Sequence, residues 1–225
     1  MAGSSRGPII VVGIDVGGAR KGFHAVALRG RTVVERLATP DEAALAAWCR
    51  DVGAELVAVD APCRWRCGVE ARLAERELMR DGISCFASPT REQALVSTSG
   101  FYGWMLRGEA LYGELARHGY ALAESADELR SRRRCFETFP HAITVQLHRV
   151  FGLEPAVAAR KRLERRALLE RLGVDCLALS SIDWLDAALC ALSAHLLRAG
   201  AKCQVYGDGA SGLLLVPVAS SASAA

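Results

Sequence analysis

The chain alternates short apolar runs with longer segments in which apolar residues recur every three or four positions. Apolar runs of roughly 4–8 residues bounded by turn residues are typical of buried strands. The first run, IIVVGID, predicts a central strand that ends at Asp15. The same reasoning predicts strands at 9–15, 23–30, 31–38, 54–62 and 134–139, and a short sixth strand at 213–217.

Helical periodicity fills most of the intervals between these strands. It predicts helices at 39–51, 69–81, 106–118, from His141 onward, 156–172 and 182–199, and leaves 83–131 as the least regular region. Ser180 and Ser181 are candidate N-caps for the last helix. Three consecutive strands followed by alternating helices and strands predict an α/β protein with a mixed sheet. We expect a single domain over 9–218, with disordered segments at 1–8 and 219–225.

Composition narrows the class of protein. The chain has 225 residues, of which 51% are hydrophobic and 24% charged, as in globular proteins. The net charge of +3 does not by itself indicate nucleic-acid binding. A secretory signal and a membrane span are not expected, so the eight cysteines predict reduced thiols and a cytoplasmic location. Their spacing does not favour a structural zinc site.

Acidic residues recur where apolar runs end or turn. Asp15 ends the first strand, Asp60 ends the fourth, and Glu137 ends the fifth. Asp183 and Asp186 are three positions apart on the last helix, so both project from one helical face, close to its apolar stripe. A buried carboxylate is unfavourable unless it is hydrogen-bonded, paired or metal-bound. Several of them at the ends of core elements therefore indicate a shared site for a hard cation such as Mg²⁺.

Simpler interpretations remain open for each acidic residue. Asp15 could cap its own turn. Asp183 and Asp186 could interact with the helix dipole. The basic run Arg130–Arg134 could steer phosphates or form a solvated loop. The turn GIDVGG lacks dinucleotide-binding spacing, and neither a nucleophile elbow nor a phosphate-binding loop of the Gly-Lys-Ser/Thr type occurs.

The sequence motifs, taken together, resemble those of a known family. Seven short motifs occur in a fixed order between residues 9 and 217: GID, VAVDAP, RLAERELMRDGI, SPT, ETFP, KRLERRALLERLG and DWLDAALCALSA. Together they resemble the family catalogued as domain of unknown function 429, which is regarded as a group of predicted nucleases with an RNase H-like fold. The resemblance implies a five-stranded mixed sheet flanked by helices, with the first three strands antiparallel.

The resemblance also implies a set of functional residues. The acidic site would comprise Asp15, Asp60, Glu137, Asp183 and Asp186, of which all but Glu137 would bind metal. Substrate phosphates would contact basic residues of two helices, namely Arg72, Arg76, Lys161, Arg165 and Arg166.

The implied activity is hydrolysis of phosphodiester bonds in nucleic acid by a two-metal mechanism that uses Mg²⁺ or Mn²⁺. DNA and RNA are equally open as substrates, and no membrane partner is expected. One alternative is a non-catalytic binding protein that retains the fold and the acidic pocket. Another is an actin/hexokinase-type phosphotransferase, which the turn GIDVGG also fits.

Overall fold

The computed structural model describes residues 9–218, so the two terminal segments predicted to be disordered lie outside the described residues. Within this range the chain forms eight strands. These are β1 (Ile10–Val16), β2 (Phe23–Arg29), β3 (Thr32–Thr39), β4 (Leu56–Asp60), β5 (Ala121–Leu122), β6 (Arg134–Glu137), β7 (Lys202–Asp208) and β8 (Gly212–Val218).

Seven α-helices connect or follow the strands. They are α1 (Glu42–Asp51), α2 (Leu73–Arg80), α3 (Arg91–Val96), α4 (Gly103–Arg117), α5 (Pro140–Val150), α6 (Lys161–Arg171) and α7 (Ile182–Arg198), and short 3-10 helices occupy Asp127–Arg130 and Ala158–Arg160. Ser181 caps α7 as expected, because its hydroxyl accepts a hydrogen bond from the Trp184 amide. No helix among residues 9–218 has the length and apolar character needed to cross a bilayer.

All eight strands belong to one mixed sheet of order β3-β2-β1-β4-β6-β8-β7, with β5 beside the first half of β6. β1, β2 and β3 are antiparallel neighbours, whereas β1, β4 and β6 run parallel. The five-stranded sheet implied by the resemblance is therefore wrong, and the short sixth strand predicted at 213–217 corresponds to β8. The sheet gains the two-residue strand β5 and the hairpin β7–β8, which extends it beyond β6.

Helices cover both faces of this sheet, so the core has two layers. One layer contains Val11, Leu56 and Ala58 of the strands together with apolar residues of α2, α5, α6 and α7. The other contains Val12 and Val57 with apolar residues of α1 and α4. This alternation follows from the two-residue repeat of a strand, which sends successive side chains to opposite faces. It also determines the layer into which each strand-end carboxylate points.

Gly13 allows α7 to lie against the centre of the sheet. A Cβ atom at this position would be 2.0 Å from the Ala191 nitrogen and 2.1 Å from the Ala187 oxygen, both in the helix backbone. Backbone atoms cannot move aside as a flexible side chain can. The absence of a side chain at Gly13 is therefore what permits the close contact between β1 and α7.

The Gly13→Ala protein is expected to lose about 1–3 kcal/mol or more of unfolding free energy, because the added methyl group displaces α7. Urea denaturation measures this loss. Gly113→Ala is the matched control: Gly113 is exposed on α4 with no atom near its would-be Cβ, so alanine should stabilise the helix by about 0.5–1 kcal/mol. Equal stability of the Gly13→Ala and wild-type proteins would contradict the role assigned to this contact.

Candidate metal centre

Two carboxylates lie side by side at the carboxyl ends of parallel strands. Asp15 of β1 is in register with Asp60 of β4. Residues in register on neighbouring strands point to the same face, so both carboxylates face the layer that contains α7. Asp15 is 9% exposed, and β4 is buried along its whole length before Asp60. The sheet thus brings together two of the residues predicted to bind metal.

Asp186 of α7 completes a cluster of three carboxylates, named here the acidic triad (Asp15, Asp60 and Asp186). One carboxylate oxygen from each residue lies within 4.8 Å of the others. Asp186 is 9% exposed. It reaches the sheet because α7 packs against Gly13, two residues before Asp15 on the same strand face.

The triad concentrates negative charge in a poorly solvated place. Burial, followed by the charges of Asp186 and Asp183, raises the pKa of Asp15 to about 8. Burial and the charge of Asp15 also raise the pKa of Asp60 well above its ordinary value. Ionisation of a buried carboxyl group near other carboxylates is unfavourable, but a bound cation makes that ionisation favourable. The triad therefore has the oxygen donors and the unbalanced charge that a divalent cation requires.

Arg165 holds the third carboxylate in place. Its guanidinium donates to the Asp186 Oδ1 atom, and both side chains are nearly buried. Burial raises the pKa of Asp186 to about 6, and the charge of Arg165 opposes this rise. Arg165, predicted to contact substrate, thus lies inside the protein as the partner of a triad residue.

Asp183 lies beside the triad and is paired with a lysine. The Lys21 Nζ atom is 2.7 Å from the Asp183 Oδ1 atom. Lys21 stands in the turn between β1 and β2, which is closed by a hydrogen bond of 2.9 Å from the Gly17 amide to the Gly22 carbonyl. Gly22 has φ of +68°, which glycine adopts readily. The turn therefore presents the Lys21 side chain, which is 60% exposed, next to the acidic triad.

Glu137 is not part of the triad. It is in register with Val59, one residue before Asp60, so its side chain leaves the opposite face of the sheet. Its carboxylate, at the end of the strand, accepts two hydrogen bonds from Arg72, of 2.9 Å at Oε2 and 2.5 Å at Oε1. Glu137 also accepts a hydrogen bond of 2.8 Å from the Cys63 amide. Glu137 thus belongs to a buried network outside the triad, but it lines the same cleft as Asp60, and its charge contributes to the raised pKa of Asp60.

The remaining basic candidates differ in exposure. Arg72 is buried and also contacts Glu75, whereas Arg76 forms an exposed ion pair with Glu70. Arg166 donates to the carbonyls of Cys176 and Leu179, which fixes the loop before α7. Lys161 is exposed at the start of α6, and its charge acts on Asp186.

Sequence reasoning missed two residues beside the triad. Lys21 follows Asp15 in a glycine-rich turn, but only the turn geometry shows that it meets Asp183 of α7. His24 lies opposite Asp15 on β2, so both side chains share one face. The His24 ring contacts Trp184 edge-on at 4.7 Å between centroids. The hairpin offset between β1 and β2 was the signal that could have indicated His24.

Fold and site together define a mixed α/β protein whose sheet carries three clustered carboxylates, two at the ends of parallel strands and one on the packed helix α7. A family model described as "Protein of unknown function (DUF429)" matches residues 13–210. The chain belongs to this family, as its ordered motifs predicted. Searches of the curated proteins and of the solved structures find no match.

Proposed function

We propose that the protein is a metal-dependent nuclease that hydrolyses phosphodiester bonds at the acidic triad. The observation that carries the proposal is the convergence of Asp15, Asp60 and Asp186, whose carboxylate oxygens lie within 4.8 Å of one another. Such a donor set consists of oxygen atoms alone, which favours Mg²⁺ or Mn²⁺ over softer metals. The RNase H-like fold implied by the resemblance belongs to the same proposal.

The number and position of the three carboxylates suit the binding of one divalent cation. Three ionised carboxylates carry the negative charge that a dication balances. Arg165 compensates the charge of Asp186 in part, whereas burial and neighbouring carboxylates raise the pKa values of Asp15 and Asp60. Asp15, Asp60 and Asp186 would hold the cation, and Asp183 could join them after separating from Lys21. When bound, the cation supplies Lewis acidity toward a phosphodiester and toward water.

The surrounding residues have distinct roles in this proposal. Arg165 orients Asp186 by hydrogen bonding and keeps its carboxylate turned toward Asp15 and Asp60. Lys21 is the exposed cation at the edge of the triad, and an ammonium group there attracts a phosphate that approaches the site. Lys161 adds positive charge on the α6 side. These two lysines favour an anionic polymer as the substrate.

A metal-dependent cleavage screen tests the proposal. The full-length protein is incubated with labelled single-stranded and duplex DNA and RNA, with Mg²⁺, Mn²⁺ or a chelator. Cleavage that requires the cation supports the proposal. Mn²⁺-dependent thermal stabilisation without cleavage of any substrate would instead support the non-catalytic binding protein, and stabilisation by ATP would support the phosphotransferase.

The Lys21→Met protein is expected to show a rise of about tenfold in KM, because one charged contact to phosphate is lost. Mn²⁺ affinity should not fall, since Asp183 is then free of its partner. The salt dependence of log KM should also decrease in slope by about one.

Arg29→Met is the control for Lys21→Met, because Arg29 is exposed at the opposite end of β2. It should leave KM unchanged, and Lys21→Arg should retain most of the affinity. A Lys21→Met protein with unchanged KM and unchanged salt dependence would remove Lys21 from the substrate site.

A further inference from the structure

Three aromatic rings contact one another in a row at the surface. Phe86, in the loop after α2, is 72% exposed, and Phe101, just before α4, is 48% exposed. Their ring centroids are 5.6 Å apart, and the Tyr102 ring is 5.2 Å from that of Phe101. The three rings (Phe86, Phe101 and Tyr102) are named here the aromatic row.

The aromatic row is part of a concentration of exposed apolar surface. Leu95 and Val96 of α3, between Phe86 and Phe101 in the chain, are 55% and 78% exposed. Four of the eleven large apolar side chains exposed within residues 9–218 therefore fall in one segment of sixteen residues, 86–101. Large exposed apolar side chains that touch one another, as Phe86 and Phe101 do, mark a binding site more often than scattered ones do.

A cleft lies between Phe86, one ring of the aromatic row, and Asp60 of the acidic triad. Phe86, Trp104 and Phe139 form part of its wall, and Asp60 lines the same cleft. Asp60 is also a member of the triad. A molecule bound at the triad that extends past Asp60 therefore meets aromatic side chains. The position of α4 contributes to this arrangement, because Gly108 packs against Ala61, the residue after Asp60.

We propose that the aromatic row stacks against unpaired bases of single-stranded nucleic acid whose phosphodiester lies at the acidic triad. The inference rests on the proposed nuclease function and names its substrate class. Aromatic side chains stack on nucleobases of any sequence and contribute about 1–3 kcal/mol per base. In a duplex the faces of the bases are covered by their neighbours, so the row can contact bases only in an unpaired strand.

The nature of the cleft favours this occupant over a protein partner. Its lining includes the ion-paired Arg72, Glu75 and Glu137. It also joins Asp60 of the triad to three aromatic side chains, those of Phe86, Trp104 and Phe139. A nucleotide strand repeats the same combination, since each unit has one phosphodiester for the cation site and one flat base for the rings. A protein partner could also cover Phe86 and Phe101, but it has no repeating phosphodiester to place at the cation site.

Binding measurements test the inference. Fluorescence anisotropy is recorded at fixed salt with Mg²⁺ and a labelled 20-nucleotide strand or the matching duplex, and Asp15→Asn is present in every protein to prevent cleavage. The single strand is expected to bind more tightly than the duplex. Phe86→Ala should weaken single-strand binding by about tenfold, corresponding to the loss of one stacking contact, and Phe86→Trp should retain it.

Leu177→Ala is the matched control, because Leu177 is 89% exposed and lies outside the segment 86–101. It should leave single-strand affinity unchanged, and thermal unfolding verifies that each variant is folded. Equal affinities of the Phe86→Ala and Leu177→Ala proteins would overturn the inference. So would a dimer of the wild-type chain that Phe86→Ala dissociates, since the rings would then serve an interface between copies.

The two proposals fail in distinguishable ways. If the wild-type protein cleaves duplex and single strand equally and Phe86→Ala changes neither, the substrate class inferred here is wrong while the nuclease function stands. If the wild-type protein neither binds nor cleaves any nucleic acid, both proposals are wrong.

Discussion

The rate of metal-dependent cleavage is expected to fall more than about 100-fold in the Asp15→Asn protein. Substitution of residues that only hydrogen-bond to a metal ligand already lowers activity by about 10–100-fold. The same variant should be more stable than the wild type without metal. Asp15 is confined near Asp186 and Asp183, and burial makes its ionised form unfavourable. An asparagine of the same size is neutral without taking up a proton on folding, so we expect about 1–3 kcal/mol of added stability near neutral pH.

The pH dependence of stability follows from the same carboxylate. An aspartate in the unfolded chain has a pKa near 4, whereas the pKa of Asp15 in the folded protein is about 8. Between these values the folded protein retains a proton that the unfolded chain releases. The free energy of unfolding of the metal-free protein therefore falls as pH rises through this window, and Asp15→Asn should flatten the slope. Mn²⁺ affinity should rise over the same window, because the cation binds the ionised carboxylate.

Thermal unfolding and cleavage assays with and without Mn²⁺ check both parts of the Asp15 prediction. Asp51→Asn is the control, since Asp51 is exposed on α1 and pairs with Arg50. That variant should keep wild-type cleavage and change stability by less than about 1 kcal/mol.

If Asp15→Asn cleaves as fast as the wild type, the triad is not the reactive site. If its stability is lowered, the charge of Asp15 is compensated within the protein.

The sequence predicted the central part of the sheet because those strands have strong local signals. The apolar run before Asp15 and the one before Asp60 are buried and bounded by turn residues, as fully covered strands are. Residues 202–208 have no such run. Lys202, Gln204 and Asp208 interrupt the apolar residues, and β7 forms through its hairpin partner β8. Pairing of that kind depends on tertiary contacts more than on local composition.

Prediction of the acidic site from the sequence is limited in the same way, because it also depends on how the strands pair. Asp15, Asp60 and Asp186 could be proposed together because each stands at the end of a core element. Which strand-end acids share a face depends on register, and register is not visible in a single strand. A shift of one residue sends Glu137 to the face opposite Asp60. The predicted acidic set therefore contained Glu137, and the strand register was needed to place it outside the triad.

The Arg72→Met protein is expected to lose about 3–5 kcal/mol of unfolding free energy, because the change leaves a buried carboxylate without its cation. The Arg72 side chain is 2% exposed and that of Glu137 is 3% exposed. Arg72 donates to both Glu137 and Glu75, and the Ser88 amide donates to Glu75. Loss of the guanidinium therefore affects α2, β6 and the loop after α2 together. Urea denaturation at neutral pH measures the effect.

Arg76→Met is a matched control for Arg72→Met, one turn further along the same helix. Arg76 is 40% exposed and pairs with Glu70 at the surface, so its loss should change stability by no more than about 1 kcal/mol.

The double variant Arg72→Met/Glu137→Gln should recover part of the stability, because the unpaired charge on β6 is then removed. Since Glu137 also binds the Cys63 amide, three residues after Asp60, Arg72→Met should weaken Mn²⁺ binding as well. If Arg72→Met is as stable as Arg76→Met and only substrate affinity falls, Arg72 contacts phosphate directly and the buried network is not its main role.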